Sequence, residues 1–329
     1  MAERWQVVVP DRLAPPADVE QGVFGDRAIV TALGAHTTAE LRGKIEQADA
    51  ILAWHDLQWT DVVLATLARC RVIVRVGVGF DNVDLDAAAR RGIVVCNVPD
   101  YGTHDVADHA MALVLALARG LAGFERAAQA GTWAWGVAPS FRLTGKTFGV
   151  VGLGRIGTAT ALRAKAFGLR VVFYDPYKPE GWDKALGIAR AHALDELAHQ
   201  ADLVSLHAPL TAETRGMIGR SFFAAARRGL VLINTARGPI VDWAAFSAAF
   251  DAGTVAAAGF DVLPTEPADR SDRLVRAWAA GELHDRLLIT PHCAFYSTEA
   301  LHEMRRKAAE EALRVLTGER PRNRVGGAP

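Results

Sequence analysis

The sequence predicts an α/β protein of two domains, each built on a parallel sheet, with one domain inserted into the other. Three observations carry this. Apolar runs alternate with helical stretches over most of the 329 residues, as in parallel strands joined by right-handed crossovers. A glycine-rich turn, Gly152-Leu153-Gly154-Arg155-Ile156-Gly157, stands between the apolar run Thr147 to Val151 and the helical run Arg155 to Phe167. That turn begins mid-chain, after a first hundred residues that form an α/β unit without such a turn.

Taken in order, Gln6 to Val9, Ala28 to Ala32, Ala50 to Ala53, Val72 to Val76 and Ile93 to Cys96 read as strands. Thr38 to Gln47, Thr60 to Cys70 and Asp84 to Arg91 read as helices between them. One long helix is expected from His104 to Ala130, capped by Thr103 and stopped by Gly131. Its apolar stretch Ala110 to Ala118 is too short for a membrane span and reads as a buried helix bridging the domains. The loop Gly131 to Phe141 carries Trp133 and Trp135, expected to be buried, with a subunit interface as one candidate. Strands resume at Leu203 to His207, Val231 to Asn234, Ala256 to Phe260 and Leu287 to Thr290, with helices at Arg220 to Arg228 and Trp243 to Ala252. A polar surface helix is expected within Ala268 to Glu282. The last helix, Thr298 to Leu316, follows a complete nucleotide domain and is assigned back to the first domain. The expected boundaries are residues 1–104 with 296–329 for a discontinuous, flavodoxin-like substrate domain, and 105–295 for a Rossmann nucleotide domain, with a cleft between them.

The turn carries its own chemistry. Gly152 makes the tight bend, Gly154 lets backbone approach a pyrophosphate, and Gly157 lets the helix pack on the strand. The helix start offers free N–H groups and the positive end of a dipole. A second strand, Leu169 to Tyr174, ends at Asp175, 18 residues beyond Gly157. A carboxylate there accepts both hydroxyls of an adenosine ribose and repels a 2′-phosphate, which favours NAD over NADP.

Composition narrows the partners. Thirty-seven basic residues balance thirty-seven acidic ones, and no basic run suits nucleic acid or an anionic membrane. Cys70, Cys96 and Cys293 lack metal-ligand spacing and fit a reducing cytoplasm, and the stretch from Met1 to Trp5 has no apolar run of leader length. A cytoplasmic location and no metal are therefore expected.

Three residues that follow strands of the nucleotide domain form a candidate catalytic set, since ligands bind at the carboxyl ends of parallel strands. Arg237, in Asn234-Thr235-Ala236-Arg237-Gly238, presents a planar fork for a carboxylate or carbonyl oxygen. His292 can give a proton to a carbonyl oxygen as hydride reaches carbon, and take it back in reverse. Glu266 can bond the other imidazole nitrogen, fixing the tautomer and raising the histidine pKa. In the first domain, Val78 and Gly79 follow a strand in a glycine-rich turn, which reads either as an anion-binding nest or as a plain turn.

With these motifs in order, the chain resembles the D-isomer-specific 2-hydroxyacid dehydrogenases over nearly its whole length. The likeness rests on Arg75-Val76-Gly77-Val78-Gly79-Phe80-Asp81-Asn82-Val83-Asp84, the Gly152 to Gly157 turn, Asn234 to Gly238, Asp261 to Pro267, and Pro291-His292. Within the family it is similar to the C-terminal-binding-protein branch, on Arg163 to Gly168, Phe173 to Tyr177 and His292 to Ser297. The resemblance implies an NAD-dependent oxidoreductase for small 2-oxo or 2-hydroxy acids, with Arg237, Glu266 and His292 on the catalytic positions. It implies that Val78 and Gly79 bind the substrate carboxylate, with Arg75 adding charge. Asp261 is implied to hold the nicotinamide amide, and Val106 to lie near the pyrophosphate. Pro176, His207, Ala208, Pro209 and Thr214 match the adenosine side, and Thr235 and Ala236 fall with the cofactor residues. Phe295 stands where animal members of that branch carry a tryptophan lining the substrate pocket, and Tyr101 is a second departure that offers a hydroxyl. A homodimer through the nucleotide domains is implied. The alternative is a nucleotide-sensing scaffold that binds partner peptides with little turnover; a third reading is oxidation of another anion, such as a phosphonate.

Overall fold

The computed structural model describes residues 4–326; the ends of the N-terminal stretch and of the tail lie outside them. The chain divides into two compact units, Met1–Gly102 with Tyr296–Pro329, and Thr103–Phe295.

The first unit opens with β1 (Trp5–Asp11), α1 (Asp18–Phe24), β2 (Ala28–Ala35), β3 (Ala50–Ala53), α2 (Asp61–Leu64), β4 (Val72–Arg75), α3 (Leu85–Arg90) and β5 (Val94–Asn97). The strands pair in parallel in the order β2-β1-β3-β4-β5, the flavodoxin-like order. β3 and β4 are buried along their whole length, which is why they read as unbroken apolar runs rather than alternating ones. One face packs Val8, Ile51 and Ile73 against Leu64, Ala87 and Ala88.

Two expected helices are far shorter. Thr38 to Gln47 is a single 3-10 turn, Thr38–Leu41, because Gly43 takes φ +77° and Glu46 accepts from its N–H at 2.7 Å. Beyond α2, Thr66 and Leu67 bond three residues back instead of four, so helix gives way to turns before Cys70.

The second unit contains α4 (Thr103–Ala118), α5 (Leu121–Gln129), β6 (Thr147–Val151), α6 (Arg155–Ala166), β7 (Arg170–Tyr174), α7 (Trp182–Leu186), β8 (Ala189–Arg190), α8 (Leu194–Gln200) and β9 (Leu203–Leu206). It continues with α9 (Arg220–Ala225), β10 (Leu230–Asn234), α10 (Trp243–Asp251), β11 (Val255–Phe260), α11 (Arg273–Ala279) and β12 (Leu287–Ile289). Its parallel sheet runs β12-β11-β10-β9-β6-β7-β8, the doubly wound Rossmann order with a seventh strand. Residues of α4 and α6 cover one face, through Met111, Val114, Leu117, Ala161 and Ala164. Residues of α8 to α11 cover the other, through Leu197, Phe222, Phe246 and Leu274. The strand order reverses between β6 and β9, where a ligand crevice is expected.

The long helix expected from His104 to Ala130 is two helices bent by 59°, with Gly120 at φ +59° in the break. Thr103 is the first helical residue, and α4 packs on α6, β10 and β11 within its own unit. No single helix is long and apolar enough to cross a membrane. Trp133 and Trp135, expected to be buried, are 93% and 95% exposed. The helix within Ala268 to Glu282 is not confined to the surface, since α11 buries Leu274 and Val275 in the core.

The chain then returns to the first unit as α12 (Thr298–Leu316), capped by Ser297 Oγ on the N–H of Ala300 at 3.0 Å. Arg305 of α12 bonds the buried Glu20 of α1 at 2.8 Å, which ties the two chain segments of this unit.

Candidate active site

β6 is followed by Gly152, which takes φ +88° and donates its N–H to Tyr174 O at 2.9 Å. A side chain there would crowd Ala208 N, 2.7 Å away, two residues beyond the end of β9. A Cβ on Gly157 would collide with Gly152 O, so only glycine lets α6 start this close to the strand. A Cβ on Gly154 would meet nothing within 4 Å; the space above it is open, and Arg155, Ile156 and Gly157 are the first residues of α6, whose N–H groups have no helical partner.

Asp175, at the end of β7, accepts from Leu153 N at 2.8 Å and from Tyr177 N at 2.9 Å, which fixes its carboxylate beside the turn. The exposed Pro176 follows, and Tyr177 donates its hydroxyl to Glu213 on the neighbouring loop. Thr235 Oγ1, after β10 and next to Ala236, is buried without a hydrogen-bond partner. The open space at Gly154, the free N–H groups at the start of α6, the Asp175 carboxylate fixed beside the turn and the unpartnered Thr235 hydroxyl suit a dinucleotide, and the residues fit one.

Other expected cofactor residues divide by role. The Leu153 side chain is buried in the core, which leaves only its backbone at the turn, and Val106 is likewise buried in α4. His207 Nε2 lies 2.9 Å from Ser205 Oγ, and burial pushes its pKa down to about 3, so the ring stays neutral. Thr214 Oγ1 donates to Pro209 O at 2.6 Å and accepts from Thr211 N at 2.8 Å, so this hydroxyl shapes the loop that follows Ala208.

The three candidate catalytic residues come together on adjacent strand ends. Asn234 folds the loop after β10, accepting from Ala236 N at 3.0 Å and donating to Arg237 O at 2.9 Å. Arg237 is extended, and its Nη1 donates to Ala236 O at 2.8 Å. A Cβ on Gly238 would collide with the Leu263 carbonyl, so this loop rests directly on the one after β11. There Glu266 accepts from Leu263 N at 3.0 Å and from His292 Nδ1 at 2.7 Å. Burial pushes the Glu266 carboxyl up, but the His292 bond and charge, the Leu263 N–H and the Arg237 charge pull it down further, and the net shift is downward. His292 sits at φ +53°, a left-handed conformation that costs about 1–2 kcal/mol for a residue with a Cβ. Phe295 meets its imidazole edge-on, with ring centroids 6.3 Å apart.

Asp261, expected to hold the nicotinamide amide, is 2% exposed. One oxygen accepts from Thr290 Oγ1 at 2.6 Å and from Cys293 N at 2.9 Å; the other accepts from Ala294 N at 2.8 Å. An amide would have to use the lone pairs these donors leave. Thr290 in turn lies 3.0 Å from His109 Nε2 on α4. Neither His109 nor Thr290 was expected from sequence: one looks like a polar helical position, the other like a strand end.

In the first unit, Arg75 is buried beneath the Val78-Gly79 turn and donates to Val76 O. Gly77 takes φ +146°, and a Cβ there would lie 2.6 Å from Arg75 Nη1. Gly77 O accepts from Val98 N at 3.0 Å and Val78 O from Asn97 Nδ2 at 2.7 Å. The carbonyls are thus turned inward, and the N–H groups of Val78 and Gly79 have no partner among the described residues, the arrangement of an anion nest. Tyr101 is buried in the same unit.

This geometry has known counterparts. Residues 111–294 match the family model of the D-isomer specific 2-hydroxyacid dehydrogenase, NAD binding domain. The chain belongs to this family. It is 37% identical over 95% of its length to D-3-phosphoglycerate dehydrogenase of Mycobacterium tuberculosis, and spans 57% of that relative's length. Among solved structures it is similar to D-lactate dehydrogenase from Aquifex aeolicus complexed with NAD and lactic acid, with TM-score 0.85, 29% identity, and coverage of 98% of this chain and 100% of that one. The apo-structure of D-lactate dehydrogenase from Escherichia coli matches with TM-score 0.82 and 28% identity, again over 98% of this chain and 100% of the other. The family's nucleotide domain is its NAD-binding domain, in line with the cofactor read from Asp175. These relatives do not place the chain in the C-terminal-binding-protein branch.

Proposed function

We propose that the protein interconverts a small 2-oxo acid and its D-2-hydroxy acid with NAD, using Arg237, Glu266 and His292. The observation that carries this is the 2.7 Å bond from His292 Nδ1 to Glu266, on the same sheet edge as Arg237 and the Gly152 turn. NAD, when bound, supplies or accepts the hydride at the substrate carbon. Glu266 holds the imidazole by Nδ1, which leaves Nε2 to give a proton to the substrate oxygen in reduction and to take it back in oxidation. Arg237 brings a fixed charge and a planar fork to the substrate's oxygens. The Val78-Gly79 nest holds the carboxylate, with the Arg75 charge beneath it. Asp175 and the Gly152 to Gly157 turn bind and orient the cofactor, with Thr235 and Ala236 beside it.

Relatives act on lactate and on phosphoglycerate, so the side chain of the substrate is the open variable. Phe295 beside His292 supports an apolar group. The test is a steady-state assay with NADH and 2-oxo acids bearing methyl, benzyl and phosphate-bearing side chains, against a His292→Ala control. Reduction of the first two above the control is expected; if no acid exceeds it, catalysis fails as the reading and the scaffold alternative stands.

We further propose a homodimer through the nucleotide unit. The exposed Trp133 and Trp135 support it, since two indoles left to water on one loop are a surface that association covers. Light scattering should give twice the chain mass, and a monomer at micromolar concentration would rule the dimer out.

A further inference from the structure

Beneath the His292 loop runs a chain of polar groups, Asp261, Thr290 and His109, that carries neither the proton nor the hydride in the proposed reaction. Two backbone N–H groups already converge on the Asp261 carboxylate, which makes it an acceptor, so Thr290 Oγ1 donates to it at 2.6 Å. The Thr290 oxygen then accepts, and His109, 3.0 Å away, carries its proton on Nε2. Asp261 passes the constraint to the backbone. Its side chain holds Cys293 N and Ala294 N, and its carbonyl holds His292 N at 2.8 Å. His292, at φ +53°, is therefore clamped immediately on its C-terminal side and through its own N–H. A left-handed residue with a Cβ persists only where its surroundings over-determine it.

Side-chain ligand atoms of His109, Asp261 and Cys293 also lie within 4.8 Å of one another, close enough to hold a metal ion. Both Asp261 oxygens are engaged by N–H and O–H groups, and burial and the Asp261 charge raise the Cys293 thiol away from the thiolate a metal takes. A hydrogen-bonded brace accounts for the cluster better than an ion does.

We infer that His109, acting through Thr290 and Asp261, is a positioning residue that sets the His292 loop and hence the direction of its imidazole. This rests on the reading of His292 as the acid–base group. Two pairs of variants test it: Thr290→Val, which deletes the hydroxyl and keeps the shape, with Thr290→Ser, which keeps the hydroxyl; and His109→Phe with His109→Gln, which keeps an N–H donor. Thr290→Val and His109→Phe should each lower kcat about 10-fold, with KM for NADH and the NADH Kd from fluorescence titration nearly unchanged. The Ser and Gln variants should recover most of the loss, and the double variant should fall no further than either single one. In histidine-15N NMR, with His292 assigned by His292→Ala, the His292 signals should move in Thr290→Val and His109→Phe and stay in place in Thr290→Ser and His109→Gln. Unmoved His292 signals in the first two, or losses that the conservative variants do not restore, would overturn the inference. The spectra need no turnover, so a protein that reduces no 2-oxo acid would sink the proposed function and leave the brace to be judged by NMR. If Thr290→Val does not fold, the His109 pair decides the matter alone.

Discussion

His292 donates from Nδ1 to Glu266 across 2.7 Å, while Glu266 is itself pinned by the Leu263 N–H at 3.0 Å. The carboxylate is thus oriented before it orients the imidazole. Glu266→Gln keeps the shape and removes the charge. It should lower kcat by about 100-fold with a much smaller change in KM, read by steady-state kinetics. Because the folded pKa of Glu266 lies below its unfolded value, the ionised Glu266 carboxylate stabilises the fold above about pH 4.3 and loses that contribution as pH falls through the depressed value. Acid unfolding of Glu266→Gln should lack that component.

Arg237 is held extended by the Asn234 bonds and by its own bond to Ala236 O. Lysine at this position carries the charge without the fork. Arg237→Lys should cut kcat/KM by about 100-fold, and near-wild-type kinetics would remove Arg237 from the site.

Gly157 has no room for a methyl group, because Gly152 O occupies the position. Gly157→Ala should destabilise the protein by about 1–3 kcal/mol in urea unfolding, through displacement of the α6 start. NAD affinity should fall together with stability.

Asp175, the proposed partner of the ribose, ties Leu153 N to Tyr177 N. Asp175→Ala should weaken NAD binding and narrow the preference over NADP, measured by titrating NADH and NADPH fluorescence. An unchanged NADH Kd would count against the ribose assignment.

Much of this was legible in the residues. Fully buried strands such as β6 and β10 appear as unbroken apolar runs, and the mid-chain position of the Gly152 turn pointed to an inserted nucleotide domain. Arg237, Glu266 and His292 could be picked out because strand ends are where parallel sheets present side chains to ligands. What was missed depended on tertiary partners. Gly43 and Gly120 break helices that propensity would continue, and the helix expected from Thr60 to Cys70 stops at Leu64, where Thr66 and Leu67 turn to bonds three residues back. His109 belongs with Thr290 and Asp261 only because α4 packs on β11, and no spacing along the chain encodes that.

The left-handed backbone of His292 sets two selections against each other. Glycine there would relieve a conformation that histidine holds at a cost of about 1–2 kcal/mol, while discarding the imidazole. A library enriched for thermal resistance alone should therefore drift toward glycine or asparagine at this position, and one enriched for turnover should return to histidine. The residue proposed to move the proton is thus also a place where the fold gives up some of its own robustness.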